Sequence, residues 1–177
     1  TSYTDTAGNA GASATTANYA VETQAPTVSS VSTTADNQSL VSITDNITVT
    51  FSEAMEPSYV TTSTSDTNCA GTIRVSSDNF STCVKMSSEP VSSNSNRTFT
   101  LDPYDNLTGT TTYLTRVTTG VKDTAGNAMS SQYETSIGFT TEIKWVGTKL
   151  LGTSSADEAY GVATDSSGNV YLTGYTE

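Results

Sequence analysis

Apolar and polar residues alternate with a period of two along most of this chain. Ile47, Val49 and Phe51 are separated by single threonines, which is the pattern of a strand with one buried and one solvent-facing side. One helical turn is predicted at 52–57, where Glu53 follows a serine and Pro57 ends the segment. Further short strands are predicted at 28–31, 58–62, 71–76, 82–86, 97–101, 111–118 and 136–141. Seven or eight such strands predict an all-β fold, a Greek-key β-sandwich.

Tyr113 sharpens this prediction. It stands at the start of the strand at 111–118, six residues after Leu107 and four after Gly109. This is the setting of a tyrosine corner, in which the ring packs in the core and the hydroxyl bonds to backbone upstream. The alternative is an ordinary alternating tyrosine on that strand.

A repeat suggests how the chain is organised. The hexapeptide Asp-Thr-Ala-Gly-Asn-Ala begins at Asp5 and again at Asp123. A spacing of 118 residues is too long for a solenoid and suits a string of β-sandwich modules of about 100 residues each. We therefore expect residues 1–25 to be the tail hairpin of a preceding module or a donor-strand arm, and 26–141 to form one complete sandwich.

Composition and charge exclude several classes of function. With 7 Lys and Arg against 18 Asp and Glu, the net charge is −11, which disfavours nucleic acid and anionic membrane surfaces as partners. No apolar stretch reaches the length of a membrane helix, so we expect no membrane insertion. Ser and Thr make up about a third of the residues, which is typical of exported β-proteins.

The two cysteines, Cys69 and Cys83, lie 14 positions apart in a chain without histidine. No zinc site can be assembled from them, so a disulfide in an extracellular, secreted or cell-surface protein is predicted. Two buried free thiols are the alternative.

The central segment resembles the bacterial Ig-like domains that occur in tandem in large surface and secreted proteins. The residues that carry the resemblance are Ala25-Pro26-Thr27-Val28, Ile47 to Met55, Gly120-Val121-Lys122-Asp123-Thr124-Ala125-Gly126-Asn127 and Gly138-Phe139-Thr140-Thr141. The resemblance implies an Ig-type sandwich with an extracellular, non-catalytic role.

Residues 142–177 are similar to something else, the short bacterial β-propeller repeat. The similarity rests on Trp145 to Gly152 and on Tyr160 to Tyr175. One repeat is at most one blade, and a propeller typically needs four or more. We therefore expect this segment to be a hairpin arm that cannot bury its own apolar face.

Three Asp-x-x-Gly-Asn turns are candidates for calcium binding, which uses carboxylate, amide and carbonyl oxygens together. The residues concerned are Asp5, Asn9, Asp123, Asn127, Asp165 and Asn169. The structural interpretation is that the aspartate caps a hairpin turn and the glycine supplies a positive φ. Each turn offers one carboxylate, so the structural interpretation is favoured. Asp102 and Asp105 form a further oxygen-rich loop, which loop formation alone also explains.

Catalysis is not expected. The absence of histidine removes the Ser-His-Asp and Cys-His arrangements. Glu53 with Glu56, and Asp157 with Glu158, are the carboxylate pairs that a glycosidase would need, but surface solvation accounts for both.

Assembly through β-strands is the function that these features predict. The residues expected to contact other copies or adjacent Ig-like or propeller modules are Tyr19, Val21, Trp145, Val162, Val170, Tyr171 and Leu172. Strands donated head to tail build a filament or stalk. The alternatives are an adhesin or carbohydrate-binding module that recognises surface glycans, and a calcium-stabilised spacer of a secreted enzyme.

Overall fold

The computed structural model describes residues 4–11, 20–31, 34–142, 156–165 and 169–176. These residues contain ten β-strands and no α-helix, so the all-β prediction is confirmed. The strands are β1 (Val28–Val31), β2 (Ile47–Phe51), β3 (Ile73–Ser76), β4 (Val91–Ser93), β5 (Thr98–Leu101), β6 (Thr112–Val117), β7 (Tyr133–Glu134), β8 (Phe139–Thr140), β9 (Asp157–Thr164) and β10 (Val170–Thr176).

Strands β1 to β8 form two antiparallel sheets. One has the order β1-β2-β5-β4, and the other has β3-β6-β7, with β8 pairing to the first half of β6. An Ig constant-type sandwich divides its strands between two sheets in this way: the first, second, fourth and fifth strands form one sheet, and the third, sixth and seventh form the other. The predicted Ig-like Greek-key sandwich is therefore confirmed.

The core lies between the two sheets because the period-two pattern turns every second residue inward. Val49 is opposite Phe99, and both are fully buried. Phe99 packs edge to face on Phe51, with ring centroids 5.8 Å apart. From the other sheet, Ile73, Val75 and Val117 complete this cluster.

Tyr113 forms the predicted tyrosine corner. Its ring is 5% exposed and stacks on Phe139 with centroids 5.5 Å apart. Its hydroxyl accepts a hydrogen bond from the Thr108 backbone N–H at 2.9 Å. The corner therefore fixes the entry into β6 against the last strand of the sandwich.

Asp36 fastens the loop after β1 to the end of the sandwich. Its carboxylate accepts hydrogen bonds from the backbone N–H groups of Ser136, Ile137 and Gly138 and from the Ser136 hydroxyl, at 2.6 to 3.0 Å. Partial burial acts to raise the pKa of Asp36, but these hydrogen bonds lower the pKa to about 2.

Two of the predicted strands are wrong. Residues 58–62 do not pair as a strand because Pro57, which lacks an N–H, begins a 3-10 turn at Pro57–Tyr59. The helical turn predicted at 52–57 is also wrong: residues 52–56 are not helical, and Met55 forms an antiparallel bridge with Asp123. The segment 82–86 crosses between strands instead of joining a ladder: the Val84 N–H donates to Val75, and the Met86 N–H donates to Ser63.

Two short strands were not predicted. β4 is exposed at all three positions, and β7 has only two residues. Neither is long enough to display an alternating pattern.

Cys69 and Cys83 form the predicted disulfide, with their Cα atoms 5.0 Å apart. Cys83 is 5% exposed, and its N–H bonds to the Thr67 carbonyl. The bridge therefore ties the segment that precedes β3 to the segment that follows it.

The C-terminal strands β9 and β10 form a two-stranded antiparallel hairpin. Gly174 lies against β9 at a bulge, where a Cβ would come within 2.2 Å of the Glu158 carbonyl oxygen, so only glycine fits there. None of the described segments forms an apolar helix of the length that a bilayer crossing requires.

Candidate functional site

The Asp-x-x-Gly-Asn turns share one hydrogen-bond geometry. In the turn at Asp123, Oδ1 accepts from the N–H groups of Ala125 and Asn127 at 2.8 Å, and Oδ2 accepts from the Asn127 amide at 2.9 Å. Gly126 supplies the positive φ, at 95°. The sequence interpretation of a capped hairpin turn is confirmed here.

The flanking turns repeat these contacts. Asp5 accepts from Ala7 and from Asn9 backbone and side chain at 2.9 to 3.0 Å. Asp165 accepts from the Asn169 backbone and amide, and also from the Tyr171 hydroxyl at 2.9 Å. In both turns, each oxygen of the aspartate carboxylate accepts a hydrogen bond from a group within the same turn.

The turn at Asp123 differs from the other two because further carboxylates reach it. Asp123 is 2% exposed, and ligand oxygens of Asp123, Glu22 and Glu53 lie within 4.8 Å of one another. The Asn127 amide donates to the Glu22 carboxylate at 2.6 Å as well as to Asp123. Residue 22, which precedes the sandwich, is thereby tied to it.

Glu53 is the member of this carboxylate cluster whose pKa is raised. Its pKa is raised by partial burial and by the charges of Glu22 and Asp123, against a smaller opposing effect of Arg97. Burial also acts to raise the pKa of Asp123, but the bonds from Asn127 hold it below its usual value. Asp123 therefore stays ionised, while Glu53 takes up a proton more readily.

Three carboxylates around one point are the hard oxygen donors that calcium uses. The expectation of a single carboxylate per turn is corrected at Asp123. Glu22 was missed because no motif marks it, and its approach depends on how the chain enters the sandwich. Calcium binding by the six turn residues remains a prediction.

The carboxylate pairs considered for catalysis do not converge. Glu56 accepts from the Ser58 hydroxyl, while Glu53 lies in the cluster described above. Asp157 and Glu158 are consecutive on β9, so their side chains leave opposite faces of the strand. In the oxygen-rich loop, which was considered for calcium and not for catalysis, Asp102 accepts a hydrogen bond from the Ser87 hydroxyl at 2.7 Å.

The residues predicted for assembly are strongly exposed where the structure describes them. Val21 is 66% exposed. On the hairpin, Val162 is opposite Leu172, so both lie on one face with Val170, which is two positions from Leu172. Tyr171 lies on the other face. Tyr19 and Trp145 are outside the described residues.

Comparisons with known proteins agree with this architecture. Residues 22–141 match the model of the bacterial Ig-like domain family, and residues 146–177 match that of a β-propeller repeat. No curated protein matches the sequence.

Solved structures of the surface-layer protein SbsC are similar to the chain. A crystal structure of a large part of SbsC is 23% identical over 84% of this chain and 19% of that one, with a TM-score of 0.45. The N-terminal part of SbsC is 22% identical over 85% of this chain and 33% of that one, with a TM-score of 0.46. This chain thus spans a third or less of the length of these two SbsC structures. With two thirds of its length matched by the family model, the chain belongs to the bacterial Ig-like domain family.

Proposed function

We propose that this chain is a module of an extracellular structural protein, and that it joins neighbouring modules by β-strand pairing into a filament or stalk. Its role is mechanical, with no reaction centre. The Ig-like sandwich is the rigid body, and the terminal segments are the connectors. The disulfide supports an oxidising, extracellular setting.

The observation that carries this proposal is the exposure of the C-terminal hairpin. All eight residues of β9 are exposed, and so are residues 170–175 of β10. Val162 is 69% exposed and Leu172 is 53% exposed. An isolated two-stranded hairpin is marginally stable in water, and three or more strands or a packed face are needed for independent stability.

A neighbouring module can supply what the hairpin lacks, which is a further strand at its edge and a surface packed on its apolar face. Within the described residues, the only ladder that β9 and β10 form is with each other, and the outer edge of such a hairpin is where another strand adds. The aliphatic face of Val162, Val170 and Leu172 points out of the plane of the hairpin, so it needs a second layer packed on it, which the body of the neighbouring module supplies. The match of this segment to a β-propeller repeat is consistent with a partner of the same kind.

The test places lysine at apolar positions on two different surfaces. Val162→Lys with Leu172→Lys places two charges on the hairpin face. We expect the unmodified chain to form assemblies in electron microscopy and sedimentation, and this variant to form none. Val91→Lys, on the exposed strand β4, is the matched control, since Val91 is 64% exposed. This control should assemble like the unmodified chain.

The proposal is overturned if the unmodified chain stays monomeric at high concentration, or if the double-lysine variant still forms fibres.

A second variant lacks residues 1–24. We expect it to lose head-to-tail growth, because the proposed donor arm is gone. Fibres of unchanged length from the truncated chain would count against strand donation from that end.

A further inference from the structure

Two arginines face each other on the outer surface of the second sheet. Arg74 on β3 is the register partner of Arg116 on β6. Their sequence neighbours Ile73, Val75, Thr115 and Val117 are fully buried, so the arginines point away from the core. Directly opposite residues on antiparallel strands have Cβ atoms about 4.5–5.5 Å apart. We call this feature the arginine pair.

The arginine pair is unfavourable for folding by itself, because like charges directly opposite each other destabilise a sheet. It also stands out in a chain with only 7 basic residues against 18 acidic ones. One carboxylate offsets it: Glu134 on β7 accepts from Arg116 Nε at 2.7 Å. A net positive charge therefore remains at this place on an acidic protein.

Both side chains are held in position through the inner part of the guanidinium group. Arg74 Nε donates to the Gly71 carbonyl at 3.0 Å. The guanidinium carbon of Arg116 lies 3.6 Å from the centroid of the Phe80 ring. Within the part of the chain that the structure describes, the terminal Nη groups of both arginines have no hydrogen-bond partner. They are oriented donors available to a ligand.

We propose that the arginine pair binds the carboxylate of an acidic sugar at the end of an otherwise neutral glycan. Planar guanidinium groups bind carboxylates through two parallel hydrogen bonds. The net charge of −11 repels polyanions, so a ligand with one isolated negative charge fits better than a charged polymer. Leu114, half-buried two positions before Arg116 on the same face, offers an apolar surface to the carbon face of a sugar ring.

The experiment titrates the monomeric chain, below its assembly concentration, with three probes by calorimetry and NMR. Sialyllactose and a glucuronic-acid-terminated disaccharide carry the carboxylate at different ring positions, and lactose is the neutral control. We expect binding of at least one acidic sugar and none of lactose. Binding should weaken as salt is added.

Variants locate the site. Arg74→Gln, which leaves the Glu134 ion pair in place, should weaken binding about tenfold or more, the effect of losing charge-assisted hydrogen bonds. Glu134→Gln should strengthen binding, because it removes the carboxylate that competes for Arg116. Arg97→Gln is the matched control. Arg97 is exposed, lies next to β5 at the end of the other sheet, and donates to the Ser52 carbonyl, so this change should alter affinity less than twofold.

Three results would overturn the proposal: neither acidic sugar binding, lactose binding as well as the acidic sugars, or Arg74→Gln and Arg97→Gln having equal effects. Thermal unfolding of each variant shows whether it is folded. Because these titrations use the monomer, their outcome is independent of filament formation.

Discussion

The sandwich and the C-terminal hairpin are built from the same kind of strand, yet they differ in what their apolar residues contact. In the sandwich, Val49 and Phe99 are fully buried between two sheets. In the hairpin, Val162 and Leu172 alternate in the same way but remain more than half exposed. Alternation therefore creates an apolar face, and a second layer is needed to turn that face into stability.

The largest expected effect tests this comparison directly. Phe99→Ala should lower the free energy of unfolding by about 3–5 kcal/mol, the cost of a large cavity in a packed core. Leu172→Ala should change it by less than about 0.5 kcal/mol, as for other exposed positions. Urea unfolding of the monomer followed by Trp and Tyr fluorescence gives both values. Equal losses would mean that the hairpin packs on a core of its own.

Removing the disulfide should have the next largest effect. Cys69→Ser with Cys83→Ser should destabilise the sandwich by about 3 kcal/mol, because the bridge closes a loop of about 15 residues. The melting temperature, with and without reductant, measures the change. Reductant should leave the melting temperature of the double-serine variant unchanged, which serves as the control.

Tyr113→Phe should cost about 1–2 kcal/mol. The ring still stacks on Phe139, but the Thr108 N–H loses its acceptor. Tyr104→Phe is the matched control, since Tyr104 is 60% exposed. A loss of similar size in the control would show that the corner contributes nothing specific.

Asp36→Asn should have a smaller effect that depends on pH. Because the pKa of Asp36 is lowered to about 2 from 3.8 in the folded state, its contribution is complete above pH 3.8 and is lost as the pH falls through 2. The variant should therefore melt at a lower temperature than the unmodified chain at pH 7 and at the same temperature below pH 2. A difference that persists below pH 2 would contradict this mechanism.

The smallest expected effect concerns the carboxylate cluster. The pKa of Glu53 is raised above 4.5, so its ionisation costs stability as the pH rises through the folded-state value. Glu53→Gln should melt slightly higher than the unmodified chain at pH 7 and at the same temperature at pH 3.

Melting in the presence of calcium tests whether the carboxylates of the same cluster bind the ion or only repel one another. If the cluster binds calcium, the ion raises the melting temperature of the unmodified chain, chelator reverses the rise, and Glu53→Gln responds less. Glu56→Gln, whose carboxylate lies outside the cluster, should respond like the unmodified chain. Equal melting curves in calcium and chelator would contradict the calcium prediction.

The alternating pattern was enough to predict most of the sandwich strands, because a strand that is half-buried repeats its signal every second residue. The spacing of Leu107, Gly109 and Tyr113 also predicted the tyrosine corner correctly, since the corner depends on a few neighbouring residues. It failed at 82–86, where the apolar residues Val84 and Met86 resemble a strand but bond to different partners, Val75 and Ser63. Local periodicity contains no information about which strand lies alongside.

The sequence by itself determined the all-β class and the family resemblance, and it favoured the disulfide and the capped turns over their alternatives, because each depends on residue type at modest spacing. Only the tertiary structure decided that Glu22 and Glu53 meet Asp123, and that Arg74 stands opposite Arg116. These residues are tens of positions apart in sequence. Their meeting is set by strand register and by the path of the chain between sheets, which follow from burial of the whole core.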